Sequence, residues 1–300
     1  MRNPINNFHN ILLIVKHSLK NRLNSDGNLP KAGRKPQFSD AEVLALSILM
    51  EILMIDSENY LFVLLNKFKQ QIPHLISRPS FNRRRRKLAP LMEEMRQNIV
   101  NQVIPYEDAY IVDSMPLPIC RFTRAKRVKI CRESYETAPA FGYSTALGNT
   151  FYGYKLHIIS SVTGVVTHFD LSKGNEADIH YIRQIQNQYQ DCLILGDRGY
   201  LNESLQMDLF IHRGIQLETP KRINQKKYQT QRPLYRRFRK RIETIFSQLV
   251  DQFNLQKNYA KTFAGFSTRI LAKITGFTIL QYLNKYEKRQ NLNHVKHVLV

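Results

Sequence analysis

The hydrophobic pattern of the chain changes its period near residue 105. Before that point apolar residues recur every three or four positions, as Phe8, Ile11 and Val15 do, which is typical of helices that bury one face. After it, apolar and polar residues alternate in short runs, as in strands. The pattern predicts a helical domain at residues 1–104, an α/β domain at 105–287 and a C-terminal tail at 288–300.

The helical domain contains one well-specified helix start and one strongly basic helix. Ser39 and Glu42 have the spacing of a capping box at the start of an apolar helix. Further on, Ser80 is the expected cap of a helix with five consecutive cations: Arg83, Arg84, Arg85, Arg86 and Lys87. Short helices ending in an arginine-rich one are typical of a helix-turn-helix DNA reader, although the solvated face of an ordinary bundle would look the same. Adjacent helical residues point in different directions, so these cations suit phosphate contacts rather than base reading.

The second domain alternates strands and helices. Three strand-like runs come first, and the sequence then continues as helix, strand, helix and strand before two long helices near 234–255 and 268–286. The five strand-like runs are "AYIVDS", "TFYGYKLHIIS", "VVTHFDLS", "CLILGD" and "IQLETP". This order predicts the α/β class with a mixed sheet.

Net charge identifies the class of partner. Lys and Arg outnumber Asp and Glu by 45 to 24, the formal net charge is +21, and such a field favours a polyanion, with nucleic acid first. A membrane-coating role is disfavoured because the sequence lacks Trp and a long amphipathic basic helix. We find neither a signal peptide nor a transmembrane run and expect a cytoplasmic protein. Three cysteines without regular spacing predict neither a disulfide framework nor a zinc site.

Two aspartates share one local setting. Asp113 and Asp197 each follow an apolar strand and precede a residue that turns the chain, Pro116 or Gly199. Since ligands bind at the carboxyl edge of the strands in α/β sheets, these two acids could meet there. The alternative is that each only forms an Asx turn.

A third acid stands out by its surroundings. Between Lys221 and Arg241 the sequence has ten Lys or Arg and no acid, and Glu243 then appears beside the apolar stripe of a helix. An ionised acid in such a place must be paired or must bind a cation. Arg239, one turn earlier, would satisfy Glu243 as an i, i+4 pair, which is the simpler explanation.

Together the three acids suit phosphoryl chemistry. Two divalent cations about 4 Å apart can activate a water and stabilise the leaving oxygen of a phosphodiester. Hard cations of this kind prefer carboxylate oxygens. A basic shell would attract DNA while bound cations cancel the charge of the acids.

With these motifs the chain resembles the DDE transposases of bacterial insertion sequences. The resemblance spans about residues 105–285 and rests on "IVDSMPLP", "YGYKLHII", "LILGDRGY" and "RFRKRIETIFSQL". It implies a ribonuclease-H-like catalytic core, a metal-binding triad of Asp113, Asp197 and Glu243, and two Mg²⁺ ions for which Mn²⁺ would substitute. It also implies double-stranded DNA partners, namely the terminal repeats of an element and its target, and a homodimer on DNA.

One part of the family pattern is incomplete. Relatives carry a tyrosine and a lysine at fixed distances around the glutamate, but this chain has Arg236 at the tyrosine position and Val250 at the lysine position. The contact to the terminal phosphate must then come from other residues. The candidates are Arg236, Arg239 and Lys240.

Other residues admit two interpretations each. Lys155 and His157 share one strand face, where they either contact phosphate or form a half-exposed surface. Glu176 and Asp178 follow Asn175 at a helix start, where acids ordinarily stabilise the helix dipole. A basic loop at 121–132, with Arg124, Lys126 and Arg127, is either a DNA-contacting or a merely solvated loop.

The sequence therefore predicts a transposase that binds the terminal inverted repeats, cleaves the ends hydrolytically and joins the 3′ hydroxyls to target DNA. Two alternatives stay open. The same core could serve a structure-directed nuclease without strand transfer, or a non-catalytic DNA-binding protein derived from a transposase.

Overall fold

The computed structural model of the protein describes residues 4–145, 148–220 and 233–297. The described helices are α1 (Pro4–Ser18), α2 (Asp40–Ile52), α3 (Glu58–Asn66), α4 (Arg78–Lys87), α5 (Ala89–Val103), α6 (Ile179–Ile185), α7 (Glu203–Arg213), α8 (Pro233–Phe253) and α9 (Phe263–Leu283). The strands are β1 (Ala109–Pro118), β2 (Ala140–Ser144), β3 (Asn149–Ser161), β4 (Val166–Lys173), β5 (Leu193–Leu195) and β6 (Gln216–Glu218). None of these helices is both long and apolar enough to cross a lipid bilayer.

The chain forms two compact units. The first comprises Met1–Val103 and Gln248–Val300, and the second is Ile104–Ser247, so the division falls within α8. The sequence placed α9 in the α/β domain, whereas α9 packs against α2, α4 and α5 in the first unit. The reason is its composition: α9 is buried along most of its length and needs helical partners on several sides.

The regular elements in the described part of the first unit are all helices, and its best-specified helix start is confirmed. Ser39 caps α2, and its side chain and that of Glu42 form the reciprocal bonds of a capping box. The start of α4 differs from the prediction, because Ser77 occupies the N-cap position and Ser80 lies within the first turn. Pro79 near the start of α4 favours this earlier beginning, since its missing N–H costs nothing there.

A buried ionic cluster joins three helices of this unit. Glu51 on α2 accepts hydrogen bonds from Arg269 Nε (2.8 Å) and Lys273 Nζ (2.5 Å) on α9. Arg85 Nη2 on α4 lies 3.5 Å from the same carboxylate. Burial alone would raise the pKa of Glu51, but the surrounding cations outweigh it and lower the pKa to about 2. The cluster therefore fixes α2, α4 and α9 through a charge that is costly to leave unpaired.

The second unit is built on a mixed sheet. Its strand order is β2-β3-β1-β5-β6, and β4 also pairs with β3. β1 and β3 are antiparallel, whereas β1, β5 and β6 run parallel. The 13-residue β3 pairs with β2 along its first part and with β4 along its second. Gly153 lies at this change of partner, where a β-carbon would collide with the backbone oxygen of Leu117.

Helices flank the sheet. Val112 of β1 and Ile194 of β5 lie in one core cluster with residues of α6 and α7, such as Ile182 and Leu209. Because side chains alternate between the faces of a strand, Asp113 lies on the opposite face from Val112. The predicted mixed sheet flanked by helices is confirmed.

The strands differ from the prediction in two respects. β1 does not end after Asp113 but continues through Pro116 to Pro118, paired with β3. Proline is tolerated there because β1 pairs with β5 only as far as Ile111. Beyond Ile111, the edge of β1 that faced β5 has no partner strand, so a missing backbone N–H on that edge breaks no hydrogen bond. The short strand β2 was not predicted, since its sequence "AFGYS" has a central glycine and little alternation.

Candidate active site

Asp113 and Asp197 lie side by side at the parallel junction of β1 and β5. The ladder pairs Tyr110 with Ile194 and Ile111 with Leu195, and each aspartate is two residues beyond that last pair. Asp197 has extended backbone angles, so the alternation of the strand continues to it. Neighbouring strands lie about 4.8 Å apart. The two carboxylates are therefore neighbours on the same face of the sheet.

The environment of Asp113 favours its protonated form. Burial raises the pKa of the Asp113 carboxyl to about 7, and the negative charges of Asp197 and Asp178 add to that effect. A hydrogen bond from the Ser114 backbone N–H to Oδ1 (2.8 Å) and the charge of Arg239 act in the opposite direction. A cation placed next to such a carboxyl group stabilises its ionised form.

A cation from α8 is already placed there. Arg239 Nη1 lies 3.6 Å from Asp197 Oδ1, with both side chains partly exposed. The same guanidinium lowers the pKa of Asp113. Arg239 thus balances the aspartate pair, instead of forming the i, i+4 pair with Glu243 that the sequence offered as the simpler explanation.

Glu243 lies one turn further along α8 and is exposed. None of the ion pairs within the described ranges involves it. Among the residues that the structure describes, no three His, Cys, Asp or Glu side chains are grouped so that they could hold a metal ion. The structure thus brings two of the three predicted acids together and leaves Glu243 outside their group.

Asp178 is the acid that sequence reasoning missed at this site. It precedes α6 without capping it through a side-chain hydrogen bond. Its Oδ1 instead accepts from Lys155 Nζ (2.9 Å), and its charge raises the pKa of Asp113. Only the pairing of β3 with β1 shows this proximity, since Asp178 and Asp113 are 65 positions apart in the sequence.

Lys155 and His157 do not present the phosphate-binding face that their spacing suggested. Lys155 donates to Asp178 and to the carbonyl of Glu176 (2.8 Å), so its charge is compensated inside the protein. His157 is buried, stacks on Tyr181 and lies 2.7 Å from Ser172 Oγ. Its burial lowers the pKa of the imidazole to about 4. Both side chains support the site from within.

The predicted DNA-contacting cations of α4 differ in accessibility. Arg85 is 1% exposed and paired with Glu51 and Glu58, so the prediction of a DNA contact does not hold for it. Arg84 is bonded to Asp40 (2.7 Å), and Arg86 donates to the carbonyl of Asn82 (3.2 Å). The two exposed cations of this run are Arg83 and Lys87.

The remaining predicted DNA contacts lie on accessible surface. They are exposed in the basic loop (Arg124, Lys126 and Arg127) and on α8 (Arg236 and Lys240). Their contact with DNA stays a prediction.

The donor set fits a hard divalent cation. Two adjacent carboxylates, one of them buried enough to resist ionisation, already attract a guanidinium group into their vicinity. Carboxylate oxygens are the ligands that Mg²⁺ and Mn²⁺ prefer.

Comparison with known protein families gives a match. The transposase DDE domain family matches residues 106–278, more than half of the chain. Neither the curated proteins nor the solved structures yield a match. On the family match, this chain belongs to the DDE transposases.

Proposed function

We propose that the protein is a DNA transposase that cleaves the ends of an insertion sequence and joins their 3′ hydroxyls to target DNA. The helical residues 1–104 would bind the terminal inverted repeats. The sheet would be a ribonuclease-H-like core, as its antiparallel β3–β1 pair followed by the parallel strands β5 and β6 suggests. The proposal rests on one observation: Asp113 and Asp197 occupy equivalent positions on adjacent parallel strands, each two residues beyond the last pair of the ladder.

Asp113 and Asp197 would hold the divalent cation, and Glu243 would complete the site from α8. A bound Mg²⁺ would supply the charge that activates a water and stabilises the leaving oxygen. The Ser114 N–H orients the Asp113 carboxylate, and Arg239 balances the pair when no other cation does. Lys155 holds Asp178, which keeps a third negative charge close to the site in a fixed position.

Two copies of the chain would act together, because two element ends must be joined to one target. The strong positive charge of the protein suits the assembly of several DNA segments around it. A homodimer on DNA is therefore the proposed active form.

The test is strand cleavage by the purified full chain. A supercoiled plasmid carrying the element ends is incubated with Mg²⁺ or Mn²⁺, and nicked and joined products are separated on gels. We expect Asp197→Asn to retain DNA binding and to lose cleavage by at least about 100-fold, as loss of a direct contact to a reacting group does. Asp208→Asn is the control, because Asp208 is an exposed acid of the same unit paired only with His212 on the surface of α7.

The products also separate the alternatives. Cleavage without joined target DNA would favour a nuclease, and binding without any metal-dependent cleavage by the unaltered protein would favour a non-catalytic DNA-binding protein. Full cleavage by Asp197→Asn would refute the assignment of this carboxylate.

A further inference from the structure

The helix α8 carries two different polar faces. With about 100° of rotation per residue, Arg239 and Glu243 lie on the side that reaches Asp197. Arg237, Lys240, Arg241 and Thr244 follow the i, i+3, i+4, i+7 spacing of a single face about a third of a turn away. Lys240 on this second face is one of the predicted DNA contacts, whereas Arg237 and Arg241 have no role in the site described above.

A groove lies along this second face. Its volume is about 560 Å³, and the described residues that line it are Val162, Arg237, Phe238, Lys240, Arg241 and Thr244. Val162 belongs to the β3–β4 turn and, with Phe238, is half-buried, whereas the cations approach the groove from the helix. The groove thus has an apolar floor and a cationic wall.

The cations of this wall have no acidic partner among the residues that the structure describes. Among the described residues that line the groove none is acidic, and none of the ion pairs in the described part of the chain involves Arg237, Lys240 or Arg241. The carboxylate of the nearby Glu107 is hydrogen-bonded by the backbone of Val162 and Thr163. Three cations within two helical turns suit a ligand with several regularly spaced negative charges.

The groove is close to the aspartate pair without being part of it. Val162 follows Ser161, which pairs with Tyr110, and Tyr110 is three residues before Asp113 on β1. This separation is about 10 Å along the strand. In B-DNA it corresponds to about three base-pair steps. A duplex whose reacting phosphate lies at the aspartates would have backbone within reach of the groove.

We propose that the groove between the β3–β4 turn and α8 binds the phosphodiester backbone of double-stranded DNA a few base pairs from the reacting phosphate. Arg237, Lys240 and Arg241 contact the phosphates, and the contact is independent of sequence. The choice of DNA as the polyanion rests on the proposed function.

The test is the salt dependence of DNA binding by the full chain. Fluorescence anisotropy measures the affinity for a random-sequence duplex at several NaCl concentrations. Replacement of two phosphate contacts by Arg237→Ala with Arg241→Ala is expected to reduce the slope of log K against log [NaCl] by about 1.8. Lys257→Ala with Lys261→Ala is the matched control, because it removes two exposed charges outside the groove.

A variant that adds a charge to the groove tests the proposal without removing side chains that folding could require. Thr244 is exposed and its hydroxyl bonds only to the Lys240 carbonyl, so Thr244→Lys adds a cation to the wall with little disturbance. The slope should steepen by about 0.9. Gln184→Lys, at an exposed position of α6, adds the same charge elsewhere and should leave the slope nearly unchanged.

Equal slopes in each variant and its control would overturn the groove proposal, because net charge would then explain the binding. The two proposals fail separately. If Asp197→Asn loses cleavage and the groove variants keep the original slope, only the groove is refuted. If the unaltered protein never cleaves DNA but the slopes change as stated, the groove stands and the transposase activity is refuted.

Discussion

The guanidinium of Arg239 lies 3.6 Å from the carboxylate of Asp197, one helical turn before Glu243 on α8. Its charge also acts on Asp113, so one arginine balances both acids of the pair. A divalent cation bound there would have to compete with this arginine for the same carboxylates. The metal affinity of the proposed site would therefore depend on the strength of the Arg239–Asp197 pair.

Removal of this competitor should strengthen metal binding. We expect Arg239→Ala to bind Mn²⁺ up to about fivefold more tightly, since partly exposed ion pairs contribute about 1 kcal/mol or less. The measurement is a Mn²⁺ titration followed by electron paramagnetic resonance without DNA. Arg237→Ala, on the other polar face of the same helix, should bind Mn²⁺ as the unaltered protein does. Weaker Mn²⁺ binding by Arg239→Ala would contradict the competition.

The buried cluster around Glu51 should dominate the stability of the helical unit. Glu51→Gln keeps the shape of the side chain but leaves Arg85, Arg269 and Lys273 without their shared anion. Breaking a buried ionic group in this way costs about 3–5 kcal/mol. Urea unfolding followed by circular dichroism measures the loss.

The control for Glu51 is a surface acid on another helix of the same unit. Glu94 on α5 pairs with Arg22, and both side chains are well exposed. Glu94→Gln should therefore change the free energy of unfolding by about 1 kcal/mol or less. A similar loss in both variants would show that the buried cluster has no special weight.

The central pair of the site could be predicted from the sequence because strand patterns are local. Asp113 and Asp197 are 84 positions apart, but each follows an apolar run. The parallel pairing of those two runs places the aspartates at equivalent positions on neighbouring strands. The pattern does not reveal where the pairing with β5 ends, so the extension of β1 through two prolines was missed. Elements with strong periodicity or caps were predictable, whereas strand ends depend on which neighbours are present.

Side-chain partners distant in sequence could not be predicted. The five adjacent cations on α4 look equivalent in the sequence, but one of them, Arg85, is buried and paired with Glu51 on α2. Asp178 looks like an ordinary acid at a helix start, and only the folded sheet brings Lys155 and Asp113 near it. These pairings arise from packing between elements, which local pattern does not encode.

Acid should weaken the contribution of His157 to the stability of the α/β unit. Burial lowers the pKa of this imidazole from 6.5 to about 4, so the unfolded chain binds the proton more readily. This contribution is therefore fully present above pH 6.5 and is lost as the pH falls from about 6.5 towards 4. His157→Gln should remove this part of the pH dependence, on the order of 3 kcal/mol, because glutamine does not titrate.

The measurement for His157 is thermal unfolding between pH 7 and pH 4. The charges of Asp178 and Lys155 act on the imidazole in opposite directions, and both are kept in the variant. The raised pKa of Asp113 acts in the opposite direction over the same range, and it does so in the variant and in the unaltered protein alike, so the difference between their slopes reports His157. His74→Gln, at an exposed position, should retain the full pH dependence. An unchanged dependence of stability on pH in His157→Gln would show that the buried imidazole does not contribute to it.

The cations of α4 should separate into a DNA-contacting pair and a structural residue. Arg83 and Lys87 are exposed, one turn apart on the same face, so Arg83→Ala with Lys87→Ala should weaken duplex binding and reduce the salt slope by about 1.8 without lowering stability. Arg85→Ala should instead cost about 3–5 kcal/mol of unfolding free energy, because it leaves Glu51 and Glu58 short of a buried partner. Anisotropy and urea unfolding on both variants distinguish the two roles. If the double variant bound DNA with the original salt slope, α4 would not contact phosphate, and Arg83 and Lys87 would only belong to the solvated surface of the helical unit.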